Sequence, residues 1–298
     1  MSSKAKAKKP VTIYNNFIAE NKNYILGFIT FSGRELKILM KNIITSEVVV
    51  AYSYCSLKAF LLLSSDENKE PHEYVCIIEN QAKINLNMYL NTLKQNNINV
   101  DYYDPNNINT GGDFLIKATL KAKKLESYCD VLMKIQDKSS FGKYSYEPII
   151  VVGTHNITKE QKIKLAFDGY VLGDVQNKLP VFGTVIGAGE QTQKLKLDSV
   201  YKKLRPIIQN LEKWIATSPF EPPPVILNKH CPYCQFRKEC KEKAEKDDDL
   251  SLLDHMTPKL IQKYHKKGIF TVNQLSYLFK PRRRKRKRMS VLSGFNLE

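Results

Sequence analysis

Between positions 11 and 50, short apolar runs (25–31, 38–40) alternate with polar breaks, a pattern that fits strand and helix alike. Residues 55–63, CSLKAFLLL, read as a short buried helix. From 70 to 94, the spacing of Tyr74, Ile77, Ile78, Ile84, Met88 and the stretch Leu90 to Leu93 predicts a long helix with one apolar side. The stretch 96–112 is rich in Asn, Asp, Pro and Gly and predicts a loop.

Three strands are predicted next, at 114–120, 128–135 and 146–152. The polar, Gly-containing QDKSSFGKYS between the last two suits a hairpin connection. Helical spacing returns over 158–172, and a strand pair is predicted at 181–186 and 194–197. Val200, Leu204, Ile207, Ile208, Leu211, Trp214 and Ile215 then line one side of a helix in which Pro206 predicts a kink or a later start. Pro222-Pro-Pro224 stiffens the approach to a cysteine-rich segment. A helix–strand–strand–strand–helix order of this kind points to an α/β core with a mixed sheet.

Composition narrows the classes. A hydrophobic content of 42% over 298 residues supports a real core, in one large domain or two smaller ones. No run of about 18 apolar residues lacks charges, so no membrane-spanning helix is expected. MSSKAKAKKP has no apolar stretch behind it, which argues against a secretory signal and for a cytoplasmic protein. The net charge of +17 is concentrated. Lys280, Arg282, Arg283, Arg284, Lys285, Arg286, Lys287 and Arg288 form one run, and Lys4, Lys6, Lys8 and Lys9 form another. Eight clustered cations displace counterions from a nucleic-acid backbone, giving affinity without sequence preference. Nucleic acid is the expected partner.

Cys231-Pro-Tyr-Cys234-Gln-Phe-Arg-Lys-Glu-Cys240 is the sharpest local signal. A Cys-x2-Cys pair lets two thiolates converge from one tight turn, and a third Cys follows within reach. Zinc and iron–sulfur centres both accept such a set, with His230 or a distant cysteine as fourth ligand. Cys76 and Cys129 read as ordinary small apolar residues.

Together with Ala51-Tyr-Ser-Tyr-Cys55-Ser-Leu-Lys-Ala-Phe60, this motif resembles the iron–sulfur members of the RecB-family nucleases. These include the CRISPR-associated RecB-like exonucleases and the nuclease domain of the AddAB helicase-nuclease. The resemblance covers roughly residues 44–288, including DDDLSLL, KYHKKGIFTVNQLSYLF and the arginine-rich run. It implies a PD-(D/E)XK nuclease-like core, a mixed central sheet flanked by helices. It also implies a 4Fe–4S cluster on Cys55, Cys231, Cys234 and Cys240 that staples the domain's ends together; zinc on the same residues is the alternative. DNA is the implied substrate, Mg²⁺ or Mn²⁺ the implied catalytic ion, and a helicase a possible partner. The organisation that follows is a basic head (1–10), a RecB-like domain (11–246) holding the motif at 231–240, a helical hairpin (247–279) and a basic tail (280–298).

Such enzymes hold divalent metals on strand carboxylates and position water with a lysine. His72 matches the family's helix-start histidine and Asp130 its first acid. The Asp/Glu-x-Lys motif that should follow is missing. Aligned by the strand, Ile150 and Val152 replace the acid and the lysine; aligned by the acid, Glu147 is present and Ile149 replaces the lysine. Lys162 or Lys164 on the next helix is the candidate for a migrated lysine. The expectation is a nuclease fold with an eroded site. A non-catalytic nucleic-acid-binding or scaffold module is the rival. Near the C-terminus, Thr257 to Gly268 and then Ile269 onward resemble a helix-hairpin-helix whose turn amides meet DNA phosphate; a plain αα-hairpin is the other reading.

Overall fold

A computed structural model of the chain describes residues 24–31, 34–64, 69–105, 108, 112–217 and 222–278. The basic head at 1–10 and the basic run from Lys280 lie outside them. The described residues fall into two compact units: one reaches Val225 and includes Lys229–Lys238, and the other comprises Ile226–Asn228 and the residues from Glu239 on.

The first unit begins with an antiparallel hairpin, β1 (Tyr24–Phe31) and β2 (Arg34–Lys41). The short β3 (Ile44–Thr45) leads into α1 (Ser46–Tyr54) and α2 (Ser56–Ser64). Thr45 caps α1, its hydroxyl accepting the Val48 N–H. The long α3 (Glu73–Gln95) follows, then β4 (Val100–Tyr102), in a stretch where the sequence predicts a loop. β5 (Phe114–Ala122), β6 (Leu125–Ile135) and β7 (Ser145–Val151) form an antiparallel meander. α4 (Lys159–Val175) carries the chain to β8 (Phe182–Ile186), which pairs parallel to β7. β9 (Thr192–Lys196) and α5 (Asp198–Ala216) complete the set. The resulting seven-stranded mixed sheet runs β4-β5-β6-β7-β8-β9, with β3 parallel to β6.

Every residue of β7 is buried, because α3 and α4 cover opposite faces of the sheet there. On the α3 side, Ile116, Val131, Ile149, Val151 and Ile186 form a cluster against Leu86, Tyr89 and Leu90. α4 opens with a capping box between Thr158 and Gln161 and packs against α1 and α5 as well as the sheet, so it is buried nearly all round. Gly153 follows β7 where α3 passes: a Cβ there would stand 2.2 Å from the Ile78 carbonyl oxygen.

Two expectations need correction. The apolar spacing on α3 identifies its buried side only toward the C-terminal end: Leu90 meets the core and Leu93 is buried, whereas Tyr74, Ile77, Ile84 and Met88 are exposed and Asn85 is buried. Pro206 neither delays nor ends its helix: α5 begins at Asp198 and runs through the proline. Its buried side is Tyr201, Leu204, Ile208, Leu211 and Ile215.

In the second unit, α7 (Pro258–His265) is capped by Thr257 and α8 (Val272–Ser276) by Thr271. Gly268 takes a φ of +76°, the left-handed conformation that closes a helix. α6 (Arg237–Lys246) precedes them.

Candidate metal centre and acid–lysine site

Cys55 sits at the joint of α1 and α2, with an extended φ of −153° that separates the two helices. Its Sγ accepts the Lys58 N–H at 3.4 Å, so the thiol caps the N-terminus of α2. Cys231 and Cys234 bracket a single 3-10 turn, in which the Cys234 N–H donates to the Cys231 carbonyl at 3.1 Å. Burial pushes the Cys55 thiol above its ordinary pKa, the Lys58 amide opposes this, and the charges of Cys231 and Cys234 push it further up. Cys55 is thus within electrostatic reach of a thiol pair far from it in sequence. Cys240 is carried by α6 and belongs to the second unit. None of the six cysteines is in a disulfide. Among the described residues, no three or more His, Cys, Asp or Glu side chains gather closely enough to hold a metal ion.

Aromatic rings flank the knuckle. His230 stacks on Tyr54 with centroids 4.5 Å apart, and burial holds its pKa below the usual histidine value. His72 caps α3, its Nδ1 accepting the Tyr74 N–H at 3.1 Å, and its ring meets Tyr233 edge-on at 5.4 Å. The candidate metal histidine is thus drawn to the cysteine turn.

The two candidate acids have other partners. Glu147 is buried on β7, where Lys194 of β9 reaches it at 3.1 Å. Asp130 Oδ2 accepts the Val151 N–H at 2.9 Å, in place of a strand-to-strand bond. β6 turns over at this point. Ser127 donates to Asp168 on α4, whereas Val131, an even number of residues later, faces α3. The facing β5 residue, Lys117, has a φ of +55°, and the 117–130 pair is missing from an otherwise continuous register.

Lys164 is the candidate that the structure brings to Asp130. Its Nζ lies 2.9 Å from Asp168 Oδ2 and donates to the Tyr128 carbonyl at 3.2 Å. Asp168 and Asp130 hold its pKa well above the lysine range against the opposing effect of burial. Asp168 is fully buried, and desolvation raises its carboxyl pKa although Lys164 and the Ser127 hydroxyl lower it. The half-buried Lys162 makes its helix bond to Thr158, with no tie to Asp130. Ile150 and Val152 are 1% and 7% exposed. Val152 is bonded through both backbone groups, its N–H to Ile186 and its carbonyl to Asn85.

Sequence reasoning missed Asp168 and Asn85. An acid inside the apolar run LAFDGYVL, four residues after a lysine, was the available signal for a buried ion pair.

In the second unit, the helical hairpin keeps its turn amides to itself. The Gly268 and Ile269 N–H groups donate to His265 and Tyr264, and those of Phe270 and Thr271 to Gln274 Oε1. The Val272 and Asn273 amides go to the Asp248 carbonyl and carboxylate, and that of Gln274 to Thr271. The Asp248 carboxylate thus accepts one of the amides at the start of the second helix. Among the described residues, no helix is long and apolar enough to cross a membrane. No protein-family model matches the chain, and no curated protein does.

Proposed function

We propose that this chain is a RecB-like DNA-processing protein of the PD-(D/E)XK type. In this reading it binds nucleic acid, carries a 4Fe–4S cluster on Cys55, Cys231, Cys234 and Cys240, and has lost most of its phosphodiesterase activity. What carries the reading is the Cys231-x2-Cys234-x5-Cys240 run together with Cys55, whose thiol is influenced by the charges of Cys231 and Cys234. The order α3, β5–β7 meander, α4 and parallel β8 supports the nuclease-type core that the resemblance implies. Soft thiol donors at a helix N-terminus and a tight turn fit an iron–sulfur or zinc centre chemically. Bound there, such a group cross-links segments far apart in the chain.

Weak catalysis follows from β7. The two positions that should supply an acid and a lysine are buried aliphatics. Glu147 is ion-paired with Lys194, and Asp130 is engaged by a backbone amide. Loss of one positioned electrostatic group costs about 10²–10³ in turnover, and loss of a metal ligand compounds it. Single- and double-stranded DNA incubated with Mg²⁺ should therefore show no cleavage above background, with traces at most under Mn²⁺. Robust Mg²⁺-dependent cleavage that Asp130→Ala abolishes would overturn this and assign Lys164 as a migrated lysine.

Non-specific affinity in this reading comes mainly from the run starting at Lys280. Truncation before it should weaken DNA binding and flatten its salt dependence, by about 0.9 in log–log slope for each duplex phosphate that is no longer neutralised. Unchanged affinity and slope would place the binding surface on the folded units.

A further inference from the structure

A pocket of about 440 Å³ lies beyond the C-terminal ends of the parallel strands β7 and β8. Its walls are His155, Asn156 and Ile157 from the loop after β7, Gly187 and Gln191 from the connection between β8 and β9, and Thr192 and Gln193 at the start of β9. Two backbone bonds fix its floor: Ala188 N–H donates to the Thr154 carbonyl, and Gly187 N–H to that of Gln191. The loops are tightly apposed there, since a Cβ on Gly187 would lie 3.0 Å from the Thr154 oxygen. The volume is in the range of small-molecule sites, about 300–1,000 Å³, and the crevice beyond strand C-termini is where open α/β sheets usually bind ligands.

The lining chemistry limits the ligand. Among the described residues, none of the lining side chains carries a fixed charge, so the lining offers no counter-charge to a phosphate or carboxylate. It offers three carboxamides, each presenting a donor beside an acceptor, with the His155 ring and the Ile157 side chain as flatter surfaces. That combination matches the edge and face of a nucleobase. A carboxamide reads adenine N6–H and N7 bidentately, and an extruded base is held by edge hydrogen bonds and by stacking on aromatic or apolar side chains. Asp130 bonds to Val151 only a few residues before His155, so the pocket opens at the same end of β7 as the acid–lysine site.

We infer that this pocket holds one unstacked base of a single strand, adenine in preference. The choice of a nucleic-acid ligand rests on the function proposed above. The test measures the full chain's affinity for end-labelled single-stranded dA, dT and dC oligomers of equal length, by fluorescence anisotropy at fixed salt. A companion titration with adenosine follows the His155 ring by NMR. The expected result is a dA preference of about 5–150-fold, the discrimination of one bidentate pair. The double variant Asn156→Ala, Gln193→Ala should bring dA down to the dT level and leave dT unchanged, and adenosine should shift His155. Equal affinities for all strands, or a preference that survives the variant, would overturn the pocket assignment alone. Failure to bind any strand would overturn the nucleic-acid reading. A His155 shift on adenosine would still uphold the pocket, and its absence would remove both.

Discussion

Replacing Lys164 by methionine should destabilise the first unit by about 3–5 kcal/mol at neutral pH, because it leaves the Asp168 carboxylate buried without its counter-charge. Asp168 is fully buried; its remaining partner is the Ser127 hydroxyl. The pH dependence follows from the two shifts. The Lys164 pKa is raised on folding, so its contribution is fully present below the ordinary lysine range and is lost only as pH rises through the elevated value. The Asp168 pKa is also raised, which for a carboxyl has the opposite sense: acid favours the folded state as pH falls through the elevated value. Without Lys164, the attraction that lowers the Asp168 pKa is gone and the value climbs further. The variant's deficit in denaturant melts should therefore narrow as pH is lowered from neutral toward about 5. A loss below about 1 kcal/mol, independent of pH, would show that the pair behaves as a surface ion pair.

The second large effect concerns the cysteines. If the proposed centre is bound, Cys55→Ala should release it and with it the contribution to folding that structural thiolate sites supply, on the order of 10 kcal/mol. The sharp control is Cys129→Ala. Cys129 is fully buried, its thiol donates to the Val131 carbonyl, and burial raises its pKa strongly, so it is a core residue with no ligand character. That variant should lose some stability through the small cavity it creates and keep its full metal content. Equal metal content in the Cys55 and Cys129 variants would remove Cys55 from the ligand set.

Much of the fold could be read from local pattern. The β5–β7 meander, α4, α7 and the β8–β9 pair carry clear alternation or clear caps, and their predicted bounds agree with the structure within a few residues. The misreadings share a cause: they needed to know what lies opposite. On α3, Leu90 meets the core cluster as its spacing predicts, but Tyr74, Ile77, Ile84 and Met88 are exposed, and Leu86 and Tyr89 take the core-facing positions beside it. Helix α5 keeps Pro206 because its apolar side continues in phase across it, so packing outweighs the lost backbone bond. At the site, the missing lysine motif was legible on β7, whereas the partners that occupy His72, Glu147 and Asp130 come from Tyr233, Lys194 and Val151, each fixed only by tertiary contact. The bond from the Asn273 amide to Asp248 is likewise a contact that the hairpin's own sequence does not announce.

The central claim is that Cys55 joins Cys231, Cys234 and Cys240 around one cluster. Iron and acid-labile sulfide, counted per chain after anaerobic purification of the wild type and of Cys55→Ala, test it most directly. About four of each per wild-type chain, with broad visible absorbance that the variant lacks, is the predicted result. A colourless wild type with stoichiometric zinc or no metal, or a variant that keeps all its iron, would contradict it.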